Sequence, residues 1–407
     1  MIKVSFQSVA VALMAFTAIV FAQSALNNKY HQFELSSECR NPVVRKEIRD
    51  LDDEEWAMIT DVITRMRNVG WFDWYGRVHS ELFDYVHGNS MFFPFHRRFI
   101  RDFEFAGQSF NSAFFVPYWD SALDYLEPSK SEVLTSKYMG GNGSSLNQCV
   151  VDGVEANVIL NYPETRCLRR QYNGQQPNTI QSWYPPSYIY NFVNTDTLMA
   201  DFRSHIEYSI HGAVHLGLGA DMETPWAAND FVFMIHHGNL DRLWNLWQQR
   251  SNGNGGTLID TMDGPGPGNS AGISLNDEIV GYRETISEVL QIGQGKMCYT
   301  YPSQTARSAS SSGTDMNEYC NAIDKTQRSQ VSFCKNSSLA YQKRDFQQMV
   351  NCVPMLADLQ LVFCEYSVQY AEMMGKSQEE VLEHYSLCQE FSRFVERCFP
   401  YANSTST

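Results

Sequence analysis

The chain has 407 residues, of which 43% are hydrophobic and 19% charged. This composition supports a sizeable buried core and excludes wholesale disorder. The formal net charge is −15 and no run of five basic residues occurs, so neither nucleic acid nor an anionic membrane surface is an expected partner.

The N-terminus, residues 1–22, is predicted to be a secretory signal peptide. Lys3 precedes an apolar stretch over residues 9–21 that is too short to span a bilayer and is followed at once by polar residues. A buried N-terminal helix is the alternative. Ten cysteines fit an oxidising compartment, so we expect a secreted, disulfide-bonded glycoprotein. Three sequons agree with export: Asn142, Asn336 and Asn403.

Helix signals follow in chain order. Asp52 and Glu55 form a capping-box pattern ahead of apolar residues at helical spacing. Further helices are predicted around His79, from about His96, over Ser204–Leu216, and along a stripe from Leu240 to Trp247. The best strand signal is the apolar run 114–119, and the Gly-rich segments 140–143 and 253–268 read as loops.

The predicted organisation is a mainly α protein, a helical bundle with long irregular loops over residues 23–306. A Ser-rich linker at 307–314 leads to a small Cys-rich, helical region at 315–407. The six cysteines of that region allow fifteen connectivities, so their pairing stays open.

Eight of the ten histidines lie in two short windows, 79–96 and 205–237, which together make up about an eighth of the chain. The first window holds His79, His87 and His96. The second includes His211 and His215, which lie four apart and therefore on one face of a helix. Such clustering indicates metal rather than a set of core histidines, and three imidazoles per window predict two nitrogen sites.

Imidazole ligands suit zinc or copper, whereas magnesium and calcium prefer oxygen. Hydrolytic zinc helices usually carry His-Glu-x-x-His, but here the segment is His211-Gly-Ala-Val-His215, with no glutamate as base. Copper is therefore favoured over zinc hydrolysis. Two copper ions together can reduce dioxygen by two electrons, a use that a shielded pocket would serve.

Several motifs resemble the tyrosinase family of type-3 copper proteins, most closely its secreted invertebrate members. The segment from His87 to Phe99, with Pro94-Phe95-His96-Arg97 and a trailing Glu104, is similar to the first copper motif. Residues 230–244, which contain His236-His237, resemble the second. Pro117-Tyr-Trp-Asp120 and Tyr299-Thr-Tyr301 resemble two further landmarks, so the resemblance covers about residues 39–303.

The resemblance implies a dicopper core with copper A and copper B, each held by three histidines. Its metal ligands are His79, His87 and His96 for copper A, and His211, His215 and His237 for copper B. Adjacent helical residues point about 100° apart, so only one of His236 and His237 should reach the metal. His205 would not be a ligand.

The resemblance also implies roles around the ligands. Phe233 would pack on a copper-B imidazole, although core filling is the plain alternative. Asp230 and Asp241 would orient imidazoles, or Asp241 would be a surface charge paired with Arg242. Glu207 is the candidate catalytic residue, holding a water that deprotonates the phenol, or else it is a solvated carboxylate.

Departures from the family pattern bear on activity. Gly212 stands where strong monophenol hydroxylases often have Asn, which puts hydroxylation in question and leaves diphenol oxidation intact. Tyr85 replaces a Cys that makes a thioether in many fungal members. Phe95 and Phe231 replace Trp and Pro but keep an apolar role. The substrate-gating loop is placed within 216–229, with 222–225 as candidates for lining the entrance.

Cysteine positions suggest two disulfides. Cys39–Cys298 would tie together the ends of the catalytic region, and Cys149–Cys167 would close a short loop. Closing that short loop with a disulfide would stabilise the folded protein by roughly 3 kcal/mol, because it lowers the entropy of the unfolded chain. Residues 315–407 would be an autoinhibitory shield, as in many tyrosinases, or a binding or oligomerisation module.

The expected function is a secreted phenol oxidase that uses dioxygen to convert o-diphenols to o-quinones; hydroxylation of monophenols such as tyrosine stays open. A small phenol or an exposed protein tyrosine would be the partner, in pigment formation, crosslinking or defence. The alternative is a haemocyanin-like oxygen carrier with little turnover. A single catalytic unit without tandem repeats favours the enzyme.

Overall fold

The structure is a computed structural model that describes residues 39–270 and 272–302. The predicted signal peptide, the linker at 307–314 and the Cys-rich region at 315–407 lie outside these residues. Within them, no helix is long and apolar enough to cross a membrane.

Seven α-helices lie in the described part of the chain, and they confirm the mainly helical prediction. They are α1 (Asp53–Asn68), α2 (Trp71–Val86), α3 (Phe92–Gln108), α4 (Pro186–Thr195), α5 (Met199–Ile206), α6 (Gly212–Leu218) and α7 (Phe231–Gln248). A π-helical turn, Glu207–His211, joins α5 to α6. The helix predicted over Ser204–Leu216 therefore starts earlier and is interrupted, because the chain forms one wider turn that ends at His211.

The predicted start of α1 is confirmed. The backbone amide of Glu55 donates to Asp52 Oδ1 at 2.8 Å, and the amide of Asp52 donates to Glu55 Oε2 at 3.2 Å. These two bonds satisfy amides that a helix start leaves without partners. Ile59, Val62 and Met66 then lie on the buried face.

The bundle at the centre of the fold consists of α2, α3 and α7. Helix α3 packs along α7 and against α2, while α4 and the π-helical turn pack on α7. Both α3 and α7 are buried almost all round, so their charged residues must pair inside the protein. Long irregular segments, including the Gly-rich ones at 140–143 and 253–266, connect the helices.

Strands are short. β1 (Val43–Val44) runs parallel to β4 (Tyr299–Thr300), and β2 (Ile159–Leu160) runs antiparallel to β3 (Arg166–Cys167). The apolar run 114–119, the best strand signal in the sequence, forms only a single bridge between Tyr118 and Glu47. Its amides instead bond to separate segments: that of Val116 to Glu104 on α3, that of Tyr118 to the carbonyl of Lys46, and that of Trp119 to the carbonyl of Ile235 on α7.

Both proposed disulfides are present. Cys39 is bonded to Cys298 with a Cα–Cα distance of 5.3 Å, and Cys149 to Cys167 with 5.5 Å. The Cys39–Cys298 disulfide lies beside the β1–β4 pair, so a covalent bond and a strand pair together join the two ends of the described chain. The second fastens β3.

Candidate metal centre

Six histidines meet in the middle of the bundle as two groups of three. His79 lies on α2, His87 directly follows it, and His96 lies on α3. His211 ends the π-helical turn, His215 lies on α6, and His237 lies on α7. Each histidine offers one ring nitrogen, and these three nitrogens lie within 4.8 Å of one another in each group; all six side chains are buried. No carboxylate belongs to either group among the described residues.

Backbone carbonyls orient five of the six rings through Nδ1. Three of these acceptors lie one helical turn earlier in the chain: Phe83 for His87 at 3.0 Å, Phe92 for His96 at 2.7 Å and Glu207 for His211 at 3.2 Å. A ring whose Nδ1–H is donated to a carbonyl presents an unprotonated Nε2, the form that binds metal. The Nε2 atoms of His79 and His96 lie 3.4 Å apart, as do those of His215 and His237.

Burial keeps these rings neutral. Desolvation lowers the pKa of His79 to about 3 and that of His215 to about 4. For His87, His96 and His237, desolvation first and the neighbouring histidines second hold the pKa well below its usual value. The ligands therefore need no deprotonation at neutral pH before a metal binds.

The two triads face each other across α3 and α7. The rings of His96 and His237 stack with centroids 4.3 Å apart. Phe233 packs on His237 at 4.1 Å, the contact expected for it, and also meets His79 edge-on at 4.8 Å. It is fully buried, so its ring contacts one histidine of each triad while it fills the core. His237, whose Nδ1 has no hydrogen-bond partner among the described residues, is held by this packing.

The other two histidines of the second window lie outside the triads. His205 is half-buried, and its Nδ1 lies 2.8 Å from the carboxylate of Asp196. His236 is as buried as His237, but its ring nitrogens belong to neither group. The triad geometry thus agrees with His237 as the ligand of the adjacent pair.

Glu207 is fully buried, so the alternative of a solvated carboxylate is wrong. Its Oε1 accepts from the backbone amide of Gly88 at 2.7 Å, and its Oε2 accepts from Arg203 at 3.0 Å. Because Gly88 follows His87, and the Glu207 carbonyl orients His211, this residue touches the surroundings of both triads. Its role toward substrate stays a prediction.

Asp230 and Asp241 have roles other than the expected one. Asp230 pairs with Arg170 at 2.8 and 2.9 Å and caps α7 through the amide of Val232. Desolvation lowers the pKa of His215, and the charge of Asp230 opposes that lowering. Among the described residues, Asp230 forms no hydrogen bond to an imidazole ring. Asp230 therefore fixes the start of the helix that carries His237, rather than orienting an imidazole directly.

Asp241 is likewise buried and anchors a network below the triads. Its carboxylate accepts from Arg97 at 2.5 Å and from Arg45 at 3.3 Å, and also from the hydroxyls of Tyr299 and Tyr301 at 2.5 and 2.6 Å. Among the described residues it bonds to no imidazole, and it is buried rather than a surface charge paired with Arg242. The network explains the Tyr-x-Tyr landmark, because these two hydroxyls attach β4 to α7.

The residues that depart from the family pattern lie at buried, packed positions. Gly212 starts α6 and is buried directly after His211. Phe95 and Phe231 are fully buried, as expected. Tyr85 stands where a thioether-forming Cys would be, and the ring of Phe83 packs on His87 with centroids 4.3 Å apart.

Sequence reasoning missed two ligand-orienting groups, both in residues 221–226, here called the 221–226 turn. The carbonyl of Met222 lies 2.6 Å from His215 Nδ1, and the carbonyl of Pro225 lies 2.6 Å from His79 Nδ1. This segment was expected only to line an entrance. The acceptors are backbone carbonyls, which every residue has. The residue types at these positions therefore gave no indication of this role.

Comparisons with known proteins bear on this arrangement. The tyrosinase family model, described as the common central domain of tyrosinase, matches residues 61–250. Tyrosinase ustQ of Aspergillus flavus is 30% identical over 298 residues, covering 65% of this chain and 80% of its own. The chain belongs to the tyrosinase family.

Other relatives of this family agree. The tyrosinase of Streptomyces glaucescens is 26% identical, over 60% of this chain and 93% of its own. A mutant of polyphenol oxidase from Thermothelomyces thermophila has the same fold, with a TM-score of 0.56 at 19% identity, over 71% of this chain and 97% of its own.

As a tyrosinase-family protein, the chain is a copper-dependent oxidoreductase. Its donor set fits two copper ions: six neutral imidazoles, oriented by backbone carbonyls or ring packing, with no oxygen ligand in either triad of the described residues.

Proposed function

We propose that this chain is a secreted phenol oxidase that uses dioxygen to oxidise o-diphenols to o-quinones. The observation that supports this most strongly is the pair of buried, neutral histidine triads whose rings stack at His96 and His237. The two triads would hold two copper ions, which would supply electron transfer between the phenol and dioxygen.

The chain's own residues supply position and shielding. The carbonyls fix which nitrogen of each ring faces the metal, and Phe233 fills the space beside His79 and His237 so that water is excluded there. The buried networks of Asp230 and Asp241 hold α7 in place below the site. The ligand geometry is thus set before substrate arrives.

Glu207 is the proposed proton-handling residue. Its carboxylate is buried among Gly88, Arg203 and the turn that ends at His211, which supports a fixed position near both triads. In this proposal it holds the water that takes the proton of an incoming phenol hydroxyl. Glu207→Gln, which keeps the shape and removes the charge, should lower the rate on monophenols more than on diphenols.

Gly212 supports a preference for diphenols, since glycine offers no second polar anchor for that water. Substrates would be small phenols or exposed tyrosines of other proteins.

Two disulfides support export from the cell. Sequencing the N-terminus of the mature protein tests the proposed export. A mature chain that starts at Gln23 agrees with cleavage of a signal peptide, whereas retention of residues 1–22 contradicts it.

The function is tested by oxygen uptake with 4-methylcatechol. The copper-loaded protein should consume oxygen continuously and produce quinone, while His237→Ala should not. Reversible oxygen binding without turnover would identify an oxygen carrier and contradict the proposal.

The region at 315–407 is proposed as either a shield or an association module. Rates on tyrosine and on L-DOPA before and after limited proteolysis within 304–316 separate these roles. Activation by cleavage agrees with a shield. Unchanged rates together with a loss of self-association agree with the module.

A further inference from the structure

The 221–226 turn differs from every other source of ring-orienting carbonyls in the described residues. His87, His96 and His211 each bond to a carbonyl four residues earlier in their own stretch of chain. His79 and His215 instead bond to carbonyls in this turn. His79 and its acceptor, Pro225, are 146 residues apart in the sequence. One short segment therefore orients one ligand of each copper triad.

Asp221 fastens both ends of that turn. It is buried, and its Oδ1 accepts from the indole Nε1 of Trp226 at 3.0 Å, which lies just beyond Pro225. The hydroxyl of Thr224 donates to the Asp221 carbonyl at 2.7 Å. The two carbonyls that orient the rings thus lie between a carboxylate and the indole that it binds.

The same carboxylate ties the turn to the rest of the fold. Arg166 donates to it from both terminal nitrogens, at 2.8 and 2.5 Å, and the backbone amide of Arg169 donates at 2.7 Å. Arg166 belongs to β3, next to Cys167, which the disulfide fixes. The two parallel hydrogen bonds between Arg166 and Asp221 fix the position of the carboxylate and also strengthen the ion pair.

The backbone leading into the turn has little freedom. Gly219 has φ +61°, and a Cβ at this position would lie 2.2 Å from the carbonyl oxygen of Gln171. Ala220 follows with φ +49°. Close packing of residues 219–221 against residues 169–171 means that movement of β3 would be transmitted to the turn.

We propose that Asp221, held by Arg166, is a positioning residue for both copper sites. Among the described residues its carboxylate bonds to Arg166, Trp226 and the amide of Arg169, and to no ligand ring. It holds the carbonyls of Met222 and Pro225 where they fix the tautomer and direction of His215 and His79. The inference rests on the proposed copper centre, but not on which phenol is oxidised.

The first test is copper affinity. Asp221→Asn keeps the shape and removes the charge that binds Arg166. Chelator competition on the full-length protein should show binding weakened about 10- to 100-fold, the range found when groups supporting metal ligands are changed. Asp102→Asn is the matched control, since Asp102 is equally buried and pairs with Arg98 at 2.9 Å on α3. The control should retain wild-type affinity.

The second test reads the rings themselves. In copper(I)-loaded protein, which is diamagnetic, ¹⁵N-labelled histidine reports each Nδ1–H. Asp221→Asn should shift the signals and speed the proton exchange of His79 and His215, and leave His87 and His96 unchanged, because their acceptors lie in their own stretches of chain.

Arg166→Gln and Trp226→Phe provide independent routes should Asp221→Asn fail to fold. Each removes a partner of the carboxylate and should produce the same selective change at His79 and His215, with a smaller loss of affinity. Unchanged copper affinity and unchanged ring signals in folded variants would overturn the proposal. Affinity is measured without phenol, so a protein that binds two coppers but oxidises none would refute the function alone.

Discussion

Acid should destabilise the copper-free protein through its buried histidines. The pKa of His79 lies at about 3 and that of His215 at about 4 in the folded protein, mainly because burial disfavours the charged ring. In the unfolded chain both return to about 6.5. Between these values the unfolded chain binds more protons, so stability is fully present above pH 6.5 and is lost as the pH falls toward the folded values.

The magnitude at pH 5 depends only on the unfolded pKa, because neither ring is appreciably charged in the folded protein at that pH. Lowering the pH from about 7.5 to 5 then costs about 2 kcal/mol per ring, or about 4 kcal/mol for the two. The other buried ligands would add to this loss. For a protein with ordinary stability of about 5–15 kcal/mol, the change is large.

Guanidinium unfolding, followed by tryptophan fluorescence at both pH values, measures this loss. The control is His79→Gln/His215→Gln, which lacks both titrating rings and keeps every other group. Its pH-induced loss should be smaller by about 4 kcal/mol. An equal pH dependence in the two proteins would refute the reasoning that burial holds these rings neutral.

Four further substitutions test the assignment of single residues. His237→Ala should leave one copper per chain and no oxidase activity, whereas His236→Ala should retain two coppers; the reverse pattern would exchange the two assignments. Gly212→Asn should raise the ratio of monophenol to diphenol rates, and an unchanged or lower ratio would remove this position from the account. Asp241→Asn should lower the free energy of unfolding by about 3 kcal/mol or more, because it leaves buried Arg97 without its counter-charge. Its copper affinity should stay unchanged, and a selective loss of affinity would instead restore Asp241 as a ligand-orienting group.

The sequence predicts the fold where local signals are strong. The capping box of Asp52 and Glu55 and the apolar spacing behind it locate α1. The π-helical turn Glu207–His211 was not predictable, because the spacing at 207–218 fits an unbroken helix. The turn packs against α7, a contact that sequence spacing does not encode. Helix α4 was missed, since its aromatic residues and prolines give no clear period.

The ligands were predictable because histidine clustering is rare and imidazole chemistry is specific. The roles of Asp230 and Asp241 were not, since each depends on an arginine distant in sequence, Arg170 and Arg97. Arg97 gave one available signal: it lies in an aromatic helix, where a charge requires a buried partner. The 221–226 turn acts through carbonyls, which every residue has.

Anomalous diffraction at the copper absorption edge tests the central claim most directly. Two peaks are expected in crystals of the copper-loaded protein, one among His79, His87 and His96 and the other among His211, His215 and His237. A single peak, or peaks outside these triads, would contradict it.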